Sequence, residues 1–227
     1  MKSLNYKKNF QDQFKVNKEG WVKSFNSGLS QDKNGEYLPW MTYPAIEFLK
    51  NNLTNQDSIF EFGCGASTLF FSKIVKNIIS LETNEIWFNI IKEKISCEKA
   101  SNNHNRIILK DNIINNVDDF FYHGNGVIFL IKNGQDNSIY ENFLDEIKQL
   151  FSFIIIDSLK RFSCSCNSIK FLRKKGSIIL DDSQRKSYKK IFRFLDENDF
   201  TSQDFLGIAP GQIKPKKTTF FTKLTYD

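Results

Sequence analysis

Histidine is scarce in this chain of 227 residues, occurring twice, and cysteine and proline occur four times each. His104 and His123 stand in polar segments with no partner at ligand or triad spacing, so neither is assigned a role. The cysteines fall at 64, 97, 164 and 166. Cys164-Ser-Cys166 lacks the two-residue gap of zinc and redox pairs, which excludes the common zinc modules and leaves reduced structural thiols. Such thiols suit a cytosolic compartment. Long apolar runs are also missing: none approaches the ~18 residues of a membrane span. The opening Met1-Lys-Ser-Leu-Asn-Tyr-Lys-Lys8 has no apolar stretch of signal-peptide length. The expectation is a soluble, cytoplasmic chain with no membrane partner. There is no low-complexity block and no internal repeat.

Charge of one sign is not concentrated either. Lysine and arginine number 32 against 26 acidic residues, a formal +6, and they form no long run. A charge spread in this way describes a solvated surface rather than a nucleic-acid footprint. What the chain has in quantity is apolar and aromatic mass, with 40% hydrophobic residues and 23 phenylalanines. That excludes a disordered chain and is enough to build one α/β domain with an added segment.

Residues 1–38 are polar with scattered aromatics and a turn signal at Asp32-Lys-Asn-Gly35, which predicts an irregular or partly helical extension. The extension is taken as 1–42, a candidate substrate cap, and the domain as 43–227. Pro44 suits the first turn of a helix through Ala45-Ile-Glu-Phe-Leu-Lys-Asn-Asn-Leu53, whose apolar positions recur at helical spacing. Strands are expected at 58–62, 77–82, 106–110, 153–157 and 176–181, alternating with helices near 66–75, 84–96, 161–174 and 186–197. Phe153-Ile-Ile-Ile156 and Ser177-Ile-Ile-Leu180 are continuous apolar runs, as parallel strands covered on both faces require. The βαβα order argues for a doubly wound open sheet. Val127-Ile-Phe-Leu-Ile131 is a candidate extra strand, Ser138–Leu150 a candidate helix, and the tail from Phe200 two last strands.

The most informative stretch is Ser58-Ile-Phe-Glu-Phe-Gly-Cys-Gly-Ala-Ser-Thr68. A short strand runs into Glu61, then into two glycines one residue apart, then into a helix. Gly63 supplies a tight turn, and Gly65 removes a Cβ from the path of a ligand approaching the backbone. The helix start turns free N–H groups toward whatever lies over the loop. Glu82, at the end of the next apolar run, is spaced to bond the hydroxyls of a ribose. The pattern predicts an adenosine-containing cofactor.

Ligands of open α/β sheets bind beyond the carboxyl ends of the strands. Acidic or amide residues end nearly every expected strand here: Glu61, Glu82, Asp111 with Asn112, Asp157, and Asp181 with Asp182. Any one could cap a helix; together they mark one site. Asp157, Asp181 and Asp182 offer three oxygen donors at neighbouring strand ends, so magnesium is a candidate ligand there.

Glu61-Phe-Gly-Cys-Gly-Ala-Ser-Thr68, Glu82, Ile154-Ile-Ile-Asp157 and Ile178-Ile-Leu-Asp-Asp182 resemble the class I S-adenosylmethionine-dependent methyltransferases, over residues 43–224. Pro39-Trp-Met-Thr-Tyr-Pro44, Asp157-Ser-Leu-Lys-Arg161, Gly207-Ile-Ala-Pro-Gly211 and Thr218-Thr-Phe-Phe221 are similar to a bacterial group of methyltransferase-like proteins. The resemblance implies a Rossmann-like, doubly wound, mostly parallel seven-stranded sheet with helices on both faces. It implies S-adenosylmethionine as cofactor, with Gly63 and Gly65 at the methionine part and Glu61 near its amino group. Glu82 would hold the ribose and Asp111 or Asn112 would lie beside the adenine. Ser67 and Thr68 are candidate donors or plain helix caps. Asp157 is the first candidate to orient or deprotonate the acceptor, and Asp182 is a further catalytic candidate. Arg161, one helical turn after Asp157, would hold an anionic group or pair with Asp157. The catechol-type enzymes place an Asp-Asn pair where this chain has Asp181-Asp182, a departure from their metal set. Tyr43, Trp40 and Trp21 are candidate acceptor-pocket aromatics or packing anchors.

The expected activity is methylation of a small-molecule or sugar-like acceptor, oxygen favoured by the carboxylates. RNA methylation is an alternative resting on the positive charge alone, and a non-catalytic cofactor-binding protein is another. A nicotinamide-dependent oxidoreductase is a third, against which Thr68 stands at the third glycine position. The oligomeric state is not legible.

Overall fold

The computed structural model describes residues 2–99, 107–110, 126–130, 137–147, 149–157 and 159–224. Its apolar runs pair into one sheet of eight strands: β1 (Ser58–Phe62), β2 (Asn77–Glu82), β3 (Ile107–Lys110), β4 (Gly126–Leu130), β5 (Phe151–Ile156), β6 (Leu172–Leu180), β7 (Phe200–Gly207) and β8 (Lys216–Lys223). The order across the sheet is β3-β4-β2-β1-β5-β6-β8-β7. Strand β1 pairs in parallel with β2 and β5, β4 with β2 and β3, and β5 with β6. Only β8 runs against its neighbours β6 and β7. The doubly wound, mostly parallel sheet is as expected, but among the described residues it has eight strands in place of the expected seven. The additional strand is β4, which lies between β3 and β2.

Helices α1 (Lys2–Ser27), α2 (Tyr43–Asn52), α3 (Ala66–Ser72), α4 (Glu85–Lys99), α5 (Asn137–Ile147), α6 (Arg161–Ser168) and α7 (Lys189–Asp196) complete the architecture. Successive side chains of a strand point to opposite faces, and here both faces are apolar. Phe60, Phe62, Ile154, Ile156, Ile178 and Leu180 pack with α5, α6 and α7 on one face. Ile59, Ile155, Ile179 and Phe220 pack with α2 and α3 on the other. This two-sided burial is the reason the strands read as continuous apolar runs.

One expected helix ends early. The helix expected over 161–174 stops at Ser168, passes through a 3-10 turn (Ile169–Phe171), and gives way to β6 at Leu172. Lys175 has φ +64, and a Cβ on Gly176 would lie 2.9 Å from the Arg173 carbonyl oxygen. The chain bends tightly there to pair with β5, and no helix could continue through it. The extension is partly helical, as expected: its helical part is the 26-residue α1, with Phe10, Phe14 and Trp21 packed against the α2 side of the core. A Cβ at Gly20 would come within 2.7 Å of the Asp32 backbone, so glycine permits the crossing of the following hairpin. The Asp32 carboxylate accepts the N–H groups of Asn34 (2.8 Å) and Glu36 (3.0 Å), closing the expected turn. Among the described residues no helix is long and apolar enough to cross a membrane.

Candidate active site

The chain reverses its direction across the sheet between β1 and β5, and ligands of such sheets bind at that switch point. A cavity of about 590 Å3 opens there. Its floor is the loop after β1, Gly63 to Ser67, and one wall is Glu82, Thr83, Asn84 and Trp87. The far end is made by Asp157, Leu159, Arg161 and Arg185, beneath Leu29, Ser30 and Trp40 from the N-terminal segment.

The two glycines have different physical grounds. Gly63 sits at φ +105, in the region that favours glycine, and its N–H donates to the Leu81 carbonyl (2.7 Å). Gly65 is extended, at φ 174. A Cβ there would meet nothing of the protein closer than 3.7 Å, from Ser67 and Trp87. The fold therefore does not require glycine at 65, and the added methyl would project into the cavity that Gly65 lines. The floor is a cradle that a side chain would fill, and in this respect the residues fit the implied cofactor.

Glu82 braces this loop. One oxygen accepts the Cys64 N–H (2.9 Å) and the other accepts those of Thr83 and Asn84 (both 2.7 Å). A carboxylate offers about four lone-pair sites, so roughly one acceptor position remains for a ligand hydroxyl. The Trp87 indole N–H donates to the Cys64 carbonyl (2.5 Å), fixing the ring at the cavity wall. Burial, with Glu82 and Glu61 nearby, pushes the Cys64 thiol far above its ordinary value, so it stays protonated.

Glu61 and Thr68 are placed elsewhere than expected. Both are buried under the loop, outside the cavity lining. The Gly65 N–H donates to the Thr68 hydroxyl (3.0 Å), which donates to Glu61 Oε2 (2.7 Å), and the Ser80 hydroxyl donates to the same oxygen (2.9 Å). Burial raises the Glu61 carboxyl to about 7, against hydrogen bonds from Ser67, Thr68 and Ser80 that pull it down. This chain of bonds holds the loop from below. Ser67, by contrast, lines the cavity. Asp111 and Asn112 lie outside the described residues.

At the far end Asp157 is 39% exposed, and its Oδ1 accepts from Arg161 Nη2 at 2.8 Å. Arg161 is only 8% exposed. Its Nη1 donates to the Asp181 carbonyl (2.5 Å), and its guanidinium lies over the Tyr188 ring. Of the two readings of Arg161, the ion pair with Asp157 is the one present. Asp157 and Arg161 both reach the cavity; Asp182 does not line it.

The suggested magnesium site is corrected by a lysine. The Lys216 ammonium, 5% exposed, donates to Asp181 Oδ2, lies 3.2 Å from Asp182 Oδ1, and donates to the Trp40 carbonyl (2.9 Å). The Thr218 hydroxyl donates to Asp181 Oδ1 (2.8 Å), and Arg185 donates to Asp182 Oδ2. An ammonium thus stands where a hard cation would, and both aspartates are occupied. Among the described residues no group of three or more His, Cys, Asp or Glu side chains is arranged to hold a metal ion. Burial and the nearby Asp157 push the Asp181 carboxyl up against the pull of Lys216. Burial also opposes the charge on Asp182, but Lys216 and Arg185 outweigh it and hold that carboxyl below its ordinary value.

Lys216, Trp87 and Arg185 were missed by sequence reasoning. Three carboxylates at adjacent strand ends need a buried cation, and the Lys216-Lys217 pair before Thr218 was the available signal. Of the aromatics, Trp40 lines the cavity, its indole N–H donating to the Pro210 carbonyl (2.6 Å). Tyr43 is buried in the core, and Trp21 lies on another surface.

No protein-family model matches the sequence, and no curated protein sequence does. Solved structures do. An rRNA methylase of Streptococcus thermophilus matches 79% of this chain and 93% of its own, at 16% identity and TM-score 0.52. A precorrin-6y C5,15-methyltransferase of Geobacter metallireducens matches 88% of this chain and 96% of its own, at 14% identity and TM-score 0.51. The O-methyltransferase TomG of Streptomyces achromogenes, solved with S-adenosylmethionine, matches 79% and 77%, at 10% identity and TM-score 0.52. The chain has the Rossmann-like fold of the S-adenosylmethionine-dependent methyltransferases.

Proposed function

We propose that this protein is an S-adenosylmethionine-dependent methyltransferase acting on a hydroxyl oxygen of a small acceptor. The observation that carries the reading is Gly65, a glycine that lines the cavity and that the fold does not require. The cofactor supplies an electrophilic methyl group on a sulfonium. The chain's own residues seat it: the Gly63 to Ser67 floor admits close approach, and the remaining lone pair of Glu82 accepts from a ribose hydroxyl. Methyl transfer is an in-line displacement, so most of the rate gain comes from holding donor and acceptor in line. Leu29, Ser30 and Trp40 close the acceptor end, giving residues 1–42 the role of a cap. Asp157, fixed through one oxygen by Arg161, orients the acceptor hydroxyl and takes its proton.

Calorimetric titration with S-adenosylhomocysteine and with NAD tests the cofactor. The expected result is saturable binding of S-adenosylhomocysteine and none of NAD; binding of NAD alone overturns the reading. With an acceptor in hand, Asp157→Ala lowers kcat about 100-fold or more while leaving S-adenosylhomocysteine affinity in place. Unchanged turnover removes Asp157 from the chemistry.

A further inference from the structure

The turn after β6 carries a cation to the acceptor end of the cavity. Residues Asp181 to Arg185 are stitched to β8. The Ser183 N–H donates to the Lys217 carbonyl (2.8 Å), and the Lys217 N–H donates to Gln184 Oε1 (2.8 Å). The Arg185 N–H donates back to the Asp182 carbonyl (3.1 Å), closing the turn. From it the Arg185 side chain reaches the lining of the cavity. Its guanidinium donates to Asp182 Oδ2 and lies 5.9 Å from the centre of the Tyr188 ring, so it is held in place before any ligand arrives. We propose that Arg185 binds an oxyanion, carboxylate or phosphate, borne by the acceptor, so that the acceptor is an anionic compound with an apolar body. The inference rests on the methyltransferase reading of the cavity and names the class of its acceptor.

Charge, free donors and surroundings select that ligand. The charged side chains lining the cavity are Glu82, Asp157, Arg161 and Arg185. Glu82 stands on the cofactor wall and already accepts three main-chain N–H groups. Asp157 and Arg161 pair with each other inside the cavity, and Arg161 also spends Nη1 on the Asp181 carbonyl. Arg185 differs, because its counter-charge stands outside the lining. Asp182 does not line the cavity and is shared with Lys216, whose ammonium is 3.2 Å from Oδ1. Asp181 and Lys216 also lie behind the lining. The cluster is balanced as a whole, but the part of it that faces the cavity is positive. The Arg185 side chain is 53% exposed, and a guanidinium offers five donors in a planar fork that matches an oxyanion. A cationic acceptor would be repelled there, and a neutral one would leave the fork to water. Leu159, 62% exposed, lines the same end with Leu29 and Trp40. The next residue, Lys160, has φ +51 and donates to Glu141, which fixes the turn that presents Leu159. These apolar walls suit the body of the acceptor and strengthen an ion pair formed beside them.

The probes are benzoate and phenyl phosphate, with benzyl alcohol and benzylammonium as neutral and cationic matches. Each is titrated by ligand-observed NMR into the full chain saturated with S-adenosylhomocysteine. Both anions are expected to bind in the millimolar range and about tenfold or more tighter than benzyl alcohol, with no binding of benzylammonium. Arg185→Gln abolishes this preference by weakening both anions about tenfold or more, and leaves S-adenosylhomocysteine affinity unchanged. Arg185→Lys keeps part of the preference, because the charge survives and the fork does not. Equal binding of anionic and neutral probes, failure of both anions to bind, or an Arg185→Gln protein that retains the preference overturns the proposal. So does weakened S-adenosylhomocysteine in Arg185→Gln, which would assign Arg185 to the carboxylate of the cofactor. If the parent does not bind S-adenosylhomocysteine, the methyltransferase reading falls and this inference falls with it. If the parent binds it and the anions fail, this inference falls alone.

Discussion

Replacing Gly65 by alanine separates a ligand requirement from a folding requirement. The extended backbone at 65 accepts any residue, and the new Cβ would have ordinary contacts at 3.7 Å. At such a position Gly→Ala stabilises by about 0.4–1 kcal/mol through the unfolded chain. For a chain of this size that raises Tm by a few degrees, at about 2–4 °C per kcal/mol. The same methyl intrudes on a bound cofactor. Overfilling a packed site costs about 1–3 kcal/mol, so the Kd for S-adenosylhomocysteine weakens about 5- to 150-fold. Gly63→Ala is the contrast: at φ +105 the strain of about 1–3 kcal/mol falls on folding, and Tm drops. The assays are thermal unfolding and calorimetric titration on the same preparations. A Gly65→Ala protein that folds normally and binds S-adenosylhomocysteine as tightly as the parent refutes the reasoning.

Lys216→Met strands Asp181 in the core without its counter-charge and destabilises by about 3–5 kcal/mol, measured by urea unfolding. Adding Asp181→Asn recovers part of the loss, and a single variant within about 1 kcal/mol of the parent would show the cluster to be dispensable. Glu61 has a pH signature. Its folded carboxyl is raised to about 7 from an ordinary 4.5, so its stabilising contribution is full below 4.5 and is lost as pH rises through 7. The shift corresponds to about 3 kcal/mol, and Glu61→Gln should flatten the stability profile between pH 5 and 8 relative to the parent. Parallel profiles for the two proteins would count against the buried Glu61 network. Trp87→Ala frees the Cys64 carbonyl and opens the cavity wall, and weakens S-adenosylhomocysteine about tenfold or more with little change in Tm; unaltered binding would remove Trp87 from the site.

Sequence alone determined most of the strands and the loop. Continuous apolar runs such as Ile154-Ile-Ile156, short and β-branched, fit strands covered on both sides, and the Gly63 and Gly65 spacing is local, so a local pattern reveals it. Glu82 follows at a distance set by one βα unit. The N-terminal helix was legible only in part, because its apolar residues are sparse and it gains its stability by docking Phe10, Phe14 and Trp21 on the domain. What only the tertiary structure decided is how the acidic strand ends divide their work. From the sequence Glu61, Asp181 and Asp182 are equivalent acids beside Glu82 and Asp157. In the fold, hydrogen bonds from Thr68 and Ser80 turn Glu61 into a buried strut. Lys216, 35 residues after Asp181, closes the place a metal would take. Pairing of charges buried together depends on which strands are neighbours. Strand β8 enters the sheet between β6 and β7, and no spacing along the chain records that.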